Sequence, residues 1–101
     1  MRRPATARVA EVRISARAAV DIRDIARFTI RTFGVNQARR YRDDLQRCFK
    51  SLADNPRLGR SAESLAAKLR RFELRSHVVF YRPDEGGILV VRVLHDHLVE
   101  R

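Results

Sequence analysis

The sequence predicts an α+β fold in which a helical hairpin packs on a small antiparallel sheet, in the order β-α-α-β-β-β. Two observations support this prediction. Two amphipathic stretches, with apolar residues every three or four positions, lie in the first half of the chain. Strand-like segments rich in Val, Leu and Phe follow in the second half. No repeat, low-complexity tract or linker interrupts the chain, so we expect one domain over residues 1–101.

The first half of the chain should form a strand and then two helices. Residues 7–14 place Ala10, Val12 and Ile14 on one face, which is the alternation of a half-buried strand. Ser15 can cap the helix that follows. The apolar stripe of the first helix consists of Ala18, Ile22, Ile25, Ala26, Thr29 and Phe33, and that of the second consists of Ala38, Tyr41, Leu45, Cys48, Phe49 and Leu52.

Glycine, asparagine and proline mark the ends of these helices. Gly34 can adopt the left-handed conformation that ends the first helix, and Asn36 can cap the second. The second helix should end at Asn55, because Pro56 disfavours helical backbone in the residue before it. A connection of about two residues makes the pair an antiparallel hairpin. Neither apolar stripe can face water, so the hairpin needs an apolar surface to cover.

Strand signals follow in the second half. Residues 69–74 alternate apolar and charged side chains, and residues 76–82 and 88–95 are two apolar runs. The sequence PDEGG at 83–87 lies between these runs, and its composition predicts a hairpin with a loop of about five residues. Residues 61–68 carry weak signals and fit either a short helical turn or a loop.

The predicted strand hairpin is apolar on both faces. Only basic side chains interrupt the pattern, at Arg71, Arg75, His77, Arg92 and His95. The helices can cover one face, and the chain has no further element to cover the other. We therefore expect a protein partner there, since apolar surface with embedded arginines is typical of an interface core. The alternative is that strand twist and long arginine stems cover that face unaided.

The charge also favours an acidic or nucleic-acid-related partner. Lys and Arg number 22 against 12 Asp and Glu, for a net charge of +10, and twenty of the bases are arginine. The planar guanidinium suits carboxylates and phosphates, so the partner could be an acidic protein, nucleic acid, or a protein that handles nucleic acid. The net charge alone does not distinguish among these three classes of partner.

The single cysteine and the hydropathy of the chain indicate the cellular compartment in which the protein works. Cys48 cannot form an internal disulfide and lies on an apolar helix face, so we expect it to be buried packing in a reducing compartment. No apolar run approaches the roughly 18 residues that span a bilayer. The first residues are basic but lack the apolar stretch of a secretory signal. The sequence therefore predicts a cytoplasmic protein without contact to a membrane.

No motif for a cofactor or a metal is present. Gly86-Gly87 marks a turn and no phosphate-binding loop, and nothing marks a nucleophile turn. His95 and His97 have no cysteine or third histidine placed to help them, so we expect surface or interface imidazoles and no metal site. Acid–base cleavage of RNA stays open, because arginines could hold the phosphate and His95 could move protons.

Several short motifs occur together in a specific order and spacing. They are Gly34-x-x-Gln37-Ala38-x-x-Tyr41, Asn55-Pro56-x-x-Gly59-Arg60, Leu69-Arg70, Ser76-His77-x-x-x-Tyr81-Arg82 and Arg92-Val93-Leu94-His95. From Val12 to His95 the chain resembles the ParE branch of the RelE/ParE toxin superfamily of bacterial toxin–antitoxin systems. The resemblance implies the same β-α-α-β-β-β layout.

The resemblance also implies a function and a partner. Toxins of this kind are neutralised by an antitoxin encoded beside them, usually with a ribbon-helix-helix DNA-binding domain and a tail that folds over the toxin. Contact with DNA would then be indirect, through the antitoxin. Characterised ParE toxins poison DNA gyrase, whereas the RelE branch cuts mRNA in the ribosome. This chain lacks the lysine-rich helix and the C-terminal tyrosine of RelE-like cleavage, so the resemblance favours a gyrase inhibitor that is not an enzyme.

Five basic residues are predicted to contact the target or the partner: Arg71, Arg75, Arg82, Arg92 and His95. By strand alternation, Arg71, Arg75 and Arg92 should converge on one sheet face. Few acids lie nearby in sequence, so some of these bases should lack an internal partner. Two alternatives remain: a ribosome-dependent endoribonuclease that uses Arg71, Arg75, Arg92 and His95, and a non-toxic co-repressor that only binds the antitoxin.

Overall fold

A computed structural model describes residues 10–99 and shows two helices on a five-stranded sheet. The elements are β1 (Glu11–Ile14), α1 (Ala16–Phe33), α2 (Val35–Asp54), β2 (Arg60–Ser61), β3 (Arg70–Leu74), β4 (His77–Asp84) and β5 (Gly87–His95), with 3-10 turns at Pro56–Leu58 and Asp96–Leu98. The predicted fold class and element order are confirmed, and β2 is a short addition to them. Residues 7–9 of the predicted first strand lie outside the described residues.

The sheet has the order β1-β5-β4-β3-β2 and is mixed. Strands β2 to β5 pair antiparallel, as predicted. Strand β1 pairs parallel to β5, from Glu11 opposite Gly87 to Ile14 opposite Val90, so the sheet is not wholly antiparallel. Apolar alternation identifies a strand but does not fix its direction against a partner distant in sequence. The parallel pairing was therefore beyond what the pattern could predict.

The ends of the helices follow local rules with one exception. The Ser15 hydroxyl accepts a hydrogen bond from the Ala18 N–H at 3.0 Å and caps α1, as predicted. Gly34 ends α1 with a φ of +94°, a conformation that glycine adopts without a side-chain clash. Helix α2 begins directly after Gly34 and has no side-chain cap, so the predicted capping role of Asn36 is wrong. The helix ends at Asp54, one residue before the predicted boundary.

The main core lies between the two helices and one sheet face. Buried side chains from the predicted helical stripes meet those of β4 and β5: Ala18, Tyr41, Leu45, Cys48, Phe49 and Leu52 pack with Val79, Tyr81, Ile88, Val90 and Val93. Ile25 packs against this core and is partly buried. Burial raises the pKa of the Cys48 thiol to about 11, which agrees with its predicted packing role. Phe33 departs from the predicted stripe and is exposed.

The opposite sheet face carries a second, smaller core. Val78 and Phe80 of β4 are buried there together with Ala62 and Leu69, and Val99 packs against them. The segment at 62–69 forms turns and lies over this face. The expectation that the chain had no further element for this face is therefore wrong, because residues 62–69 and Val99 cover part of it.

The turn between β4 and β5 is tighter than predicted. Asp84 pairs with Gly87, so only Glu85 and Gly86 form the turn, with Gly86 at a φ of +80°. The predicted five-residue loop is wrong because Pro83 continues β4. Strand β3 reaches only as far as Tyr81, so Pro83 lies where β4 has no neighbour on that side and a missing N–H is tolerated.

Within residues 10–99, none of the helices has both the length and the apolar character that crossing a membrane requires.

The buried stripe of α2 leads to a stability prediction. Leu45 is only 3% exposed, and Leu45→Ala leaves a cavity that should lower the free energy of unfolding by roughly 2–5 kcal/mol. The exposed neighbour Gln46 on the same helix is the control, and Gln46→Ala should change the free energy by less than about 0.5 kcal/mol. Urea unfolding measures both. Equal midpoints for the two variants would contradict this packing.

Candidate functional site

The outer edge of β5 is completed by the start of α1. Strand β1 ends at Ile14, opposite Val90, so the rest of β5 has no strand neighbour on that side. The Ser15 N–H donates to the Val90 carbonyl, and its hydroxyl donates to the Val91 carbonyl, each at 3.0 Å. The carboxylate of Asp21 accepts a hydrogen bond from the Val93 N–H at 3.0 Å. Ser15, which caps α1, and Asp21 of α1 thus replace the missing strand.

Arg92 is held by the same carboxylate. Its Nε and a terminal nitrogen donate to the two oxygens of Asp21 at 2.8 and 3.1 Å, a bidentate pair. Burial opposes ionisation of Asp21, but the hydrogen bonds from Arg92 and Val93, with the charge of Arg92, outweigh it and hold the pKa of that carboxyl below its usual value. The hydrogen bond to Asp21 raises the pKa of Arg92. Arg92 therefore has a structural role in addition to any contact with a partner.

Two of the three arginines predicted to share a sheet face do so, because Arg71 and Arg92 each lie opposite Phe80 on a neighbouring strand, and Arg75 does not join them. The guanidinium of Arg71 lies 5.6 Å from the centre of the Phe80 ring, on the face away from the helices, and pairs with Glu73 at 3.0 Å. Arg75 follows the last residue of β3 and pairs with Asp44 of α2 at 2.5 Å. Alternation fails for Arg75 because it lies in a turn with a φ of +56°, which non-glycine residues seldom adopt.

The expectation of unpaired bases is also wrong for three of these residues. Arg71, Arg75 and Arg92 each form an ion pair, with Glu73, Asp44 and Asp21 respectively. Two of the three partners belong to the helices and lie far from the arginines in sequence. Only the tertiary structure brings such pairs together. The acids that lie close to these arginines in the sequence therefore could not predict their ion pairs.

The two remaining predicted residues lie at opposite ends of the strand hairpin. Arg82 lies on β4 opposite Leu89 and is partly buried. His95 is the last residue of β5 and lies opposite His77. Within the described part of the chain, the side chains of His95, Asp96 and His97 form the one group that could hold a metal ion.

A groove opens where the helical hairpin meets the β3–β4 turn. Its volume is about 520 Å³, and we call it the aromatic groove; its lining is Phe28, Thr29, Phe33, Gln37, Tyr41, Arg75, Ser76, His77 and His95. Phe28 and Phe33 at its rim are 56% and 65% exposed. Large apolar side chains left this open to water are typical of a binding surface when they lie together.

Polar groups of the aromatic groove form a short chain. The Tyr41 hydroxyl and the His77 Nδ1 share a hydrogen bond of 2.6 Å, and the His77 and His95 rings meet edge to face with centres 5.3 Å apart. Burial raises the pKa of Tyr41 to about 12. Burial, and then the charge of His95, lower the pKa of His77. At neutral pH, Tyr41 and His77 are therefore uncharged, and the guanidinium of Arg75 brings a positive charge to the groove.

A second open surface lies on the sheet face away from the helices. It encloses about 240 Å³, and we call it the far-face pocket; its lining is Leu65, Leu69, Phe80, Val91, Arg92, Leu94, Leu98 and Val99. Leu65 and Leu98 at its rim are mostly exposed. Each of the two open surfaces thus combines apolar side chains with one arginine, Arg75 in the aromatic groove and Arg92 in the far-face pocket.

Sequence reasoning missed several residues of the aromatic groove as site residues. Tyr41 was assigned only to the helical stripe, and Phe28 lies outside the stripe of α1. A large aromatic residue on the polar side of an amphipathic helix can indicate a binding surface, because exposing its apolar ring to water is unfavourable. In the sequence, His77 is recognisable only as an interruption of the apolar pattern.

The model of the family described as "ParE toxin of type II toxin-antitoxin system, parDE" matches residues 12–97. This chain belongs to the ParE toxin family. The match confirms the resemblance seen in the sequence motifs.

Known ParE toxins agree with this assignment. Toxin ParE1 of Caulobacter vibrioides is 38% identical over 89 residues, which are 88% of this chain and 92% of that protein. Toxin ParE1 of Mycobacterium tuberculosis is 37% identical, with 84% of this chain and 88% of that protein covered. Toxin ParE of Escherichia coli is 34% identical, with 84% of each chain covered. The solved chromosomal ParDE TA system from P. aeruginosa shares the fold, with a TM-score of 0.72 at 18% identity, covering 86% of this ParE chain and 96% of that chain.

The Asp21 contacts predict a pH dependence of stability for this ParE toxin. Because the folded-state pKa of Asp21 is lowered, its stabilisation is present above the unfolded-state value of about 3.9 and is lost as the pH falls through the folded-state value. Asp21→Asn should lower the free energy of unfolding by about 1.5–3 kcal/mol at neutral pH and flatten the acid limb of its pH profile.

Urea unfolding at a series of pH values from neutral to acid measures this effect. Asp43→Asn is the matched control, because Asp43 is exposed on α2 and lies 3.6 Å from its partner Arg42. The control should reproduce the wild-type profile. Parallel profiles for Asp21→Asn and the wild type would show that the Arg92 and Val93 contacts do not hold the carboxylate.

Proposed function

We propose that this ParE toxin inhibits DNA gyrase, the bacterial type II topoisomerase, and is held inactive by a cognate antitoxin. The proposal rests first on family membership over residues 12–97. The resemblance to characterised ParE toxins, which poison gyrase, then favours that target. The toxin would act by binding, and it is not itself an enzyme. It needs no cofactor for this action.

The open surfaces support a protein partner. The aromatic groove and the far-face pocket leave Phe28, Phe33, Leu65 and Leu98 exposed on a chain of net charge +10. An antitoxin of the ribbon-helix-helix type, with a tail that supplies apolar anchors and acidic side chains, fits this combination. Its DNA-binding domain would give the complex its only contact with DNA.

The five basic residues predicted from the sequence are proposed contacts, and the structure supports some of them more strongly than others because their exposure differs. Arg75 is the best candidate, because it is 58% exposed and lines the aromatic groove beside His95. Arg92 lines the far-face pocket, but its bond to Asp21 also supports the fold. Arg71 is largely covered, and Arg82 is partly buried. A partner that supplies a carboxylate to Arg75 would compete with Asp44.

One observation favours a second candidate function, the cleavage of RNA. The four residues that the sequence suggests for that reaction are divided between two surfaces, since Arg71 and Arg92 lie beside Phe80 on the far face and Arg75 and His95 line the aromatic groove. A different set, Tyr41, Arg75, His77 and His95, surrounds the aromatic groove. These residue types can hold a phosphate and move protons.

Two assays separate the candidate functions. Inhibition of supercoiling by purified gyrase identifies a gyrase toxin. Cleavage of mRNA on programmed ribosomes identifies an endoribonuclease. Activity in neither assay, together with antitoxin binding, identifies the third candidate, a non-toxic co-repressor.

The aromatic groove leads to a test of the gyrase proposal. Arg75→Ala should weaken the inhibition of supercoiling at least roughly tenfold, the equivalent of about 1.4 kcal/mol of binding energy. The control is Arg47→Ala. Arg47 also pairs with Asp44, at 2.7 Å, but it lies outside the groove lining. This control removes one ion pair of the same carboxylate and should inhibit gyrase like the wild type.

Circular dichroism of both variants establishes that they are folded. A folded Arg75→Ala toxin that inhibits gyrase as the wild type does would remove Arg75 from the proposed contact. Wild-type protein that leaves supercoiling unchanged at micromolar concentration would reject gyrase as the target.

The net charge predicts how fast the antitoxin binds. An acidic tail approaching a chain of charge +10 is steered by attraction, so the association rate should fall as the ionic strength rises from about 50 to about 300 mM. Stopped-flow mixing of toxin and antitoxin measures this rate. Dissociation should change less, because the apolar anchors are insensitive to salt. An association rate independent of ionic strength would count against an acidic partner surface.

A further inference from the structure

Two imidazoles and a carboxylate meet just after β5. The Nδ1 atoms of His95 and His97 lie 2.5 Å apart, and the Nδ1 of His95 lies 3.2 Å from a carboxylate oxygen of Asp96. All three donor atoms lie within 4.8 Å of one another. Two imidazole nitrogens at this distance would repel each other through their lone pairs unless a proton or a metal ion lies between them.

The backbone brings these side chains together. Residues Asp96–Leu98 form a 3-10 turn that folds His97 back over His95, so that the ring centres are 4.3 Å apart. The Asp96 N–H donates to the Ser76 carbonyl at 2.8 Å, and this bond ties the turn to the start of β4. Val99 packs in the second core on the other side. The three donors are therefore held on a turn that is anchored at both ends.

We propose that His95, Asp96 and His97 bind a divalent metal ion of the zinc class. Imidazole nitrogen and carboxylate oxygen are ligands that zinc accepts, and three protein ligands leave a fourth position for water or for a group of a partner. In a tetrahedral site with bonds of about 2.0–2.1 Å the two nitrogens would stand roughly 3.3 Å apart. The rings must separate by less than an ångström or so to reach that geometry, and the exposure of both side chains allows this.

The sequence alone argued against a metal, because it offered no cysteine or third histidine near His95 and His97. The third donor is Asp96, whose side chain the turn directs toward His95. The Nδ1 of His95 also accepts the His97 N–H at 3.3 Å, a long hydrogen bond that a metal ion would replace. This site is independent of the gyrase proposal, since it makes no use of toxicity.

The location gives a bound ion a defined effect. His95 also lines the aromatic groove, where its ring lies against that of His77. Coordination would fix the His95 ring and the turn at 96–98, and would place an open coordination position near the rim of the groove. The side chain that takes this position would be an oxygen or nitrogen donor.

Isothermal titration calorimetry of the full chain, with any purification tag removed, tests the site. ZnCl₂ should bind at one ion per chain, and MgCl₂ should give no heat because magnesium prefers a full set of oxygen ligands. His97→Ala and Asp96→Asn should each lower the zinc association constant at least about tenfold, the lower end of the loss seen when a supporting group of a metal site is removed. Asp43→Asn, an exposed carboxylate of α2, is the control and should bind zinc like the wild type.

Nuclear magnetic resonance of the wild type gives a second readout that needs no variant. On addition of ZnCl₂, the ¹⁵N resonances of the His95 and His97 rings should show coordination through Nδ1, whereas His77 should keep the pattern of its bond to Tyr41. No ring shift with zinc, equal binding of magnesium, or a folded His97→Ala protein that binds zinc as tightly as the wild type would each overturn the proposal.

Discussion

The β4–β5 hairpin is apolar on both faces, and the rest of the molecule is arranged around this constraint. On one face, α1 and α2 supply Leu45, Phe49 and Leu52 to a closed core with Val79 and Val90. On the other, residues 62–69 and Val99 cover Val78 and Phe80 but leave the rim of the far-face pocket open. Within residues 10–99, the first core is therefore closed by the two helices, whereas the second is only partly covered.

The same strands connect the fold to the basic residues. Strand β5 extends beyond the end of β1, and Ser15 and Asp21 at the start of α1 complete the edge of β5. The carboxylate that accepts the Val93 N–H also holds Arg92. Arg75 is placed in a comparable way, because the β3–β4 turn brings it to Asp44 of α2. The ion pair of each arginine thereby orients it at the rim of an open apolar surface. A flexible surface side chain would not be oriented in this way.

The sequence predicted the features that depend on local periodicity and on chain-breaking residues. The stripes with Leu45 and Phe49, the Ser15 cap and the helix end at Gly34 are such features. The features it missed depend on contacts between distant segments. The parallel direction of β1 and the pairing of Arg75 with Asp44 across 31 positions have no local signal. Pro83 was misread because a proline is excluded only where both sides of a strand are paired.

The sequence motifs predicted the protein family, but they did not predict which residues form the open surfaces. Their order and spacing indicated the ParE family, which the match over residues 12–97 establishes. They did not reveal the aromatic groove, because its lining comes from α1, α2, the β3–β4 turn and the end of β5. A surface assembled from four elements is visible only when the fold is known.

Hydrogen exchange tests most directly whether a protein partner completes the cover of this toxin. Backbone exchange is measured for the toxin alone and for its complex with the proposed cognate antitoxin. We expect slower exchange in the complex at Phe28–Phe33, around Leu65 and at Asp96–Leu98, and little change in the buried half of α2 around Leu45–Leu52, which is already protected. The same protection at the first three segments in the free and bound toxin would show that no partner covers these surfaces.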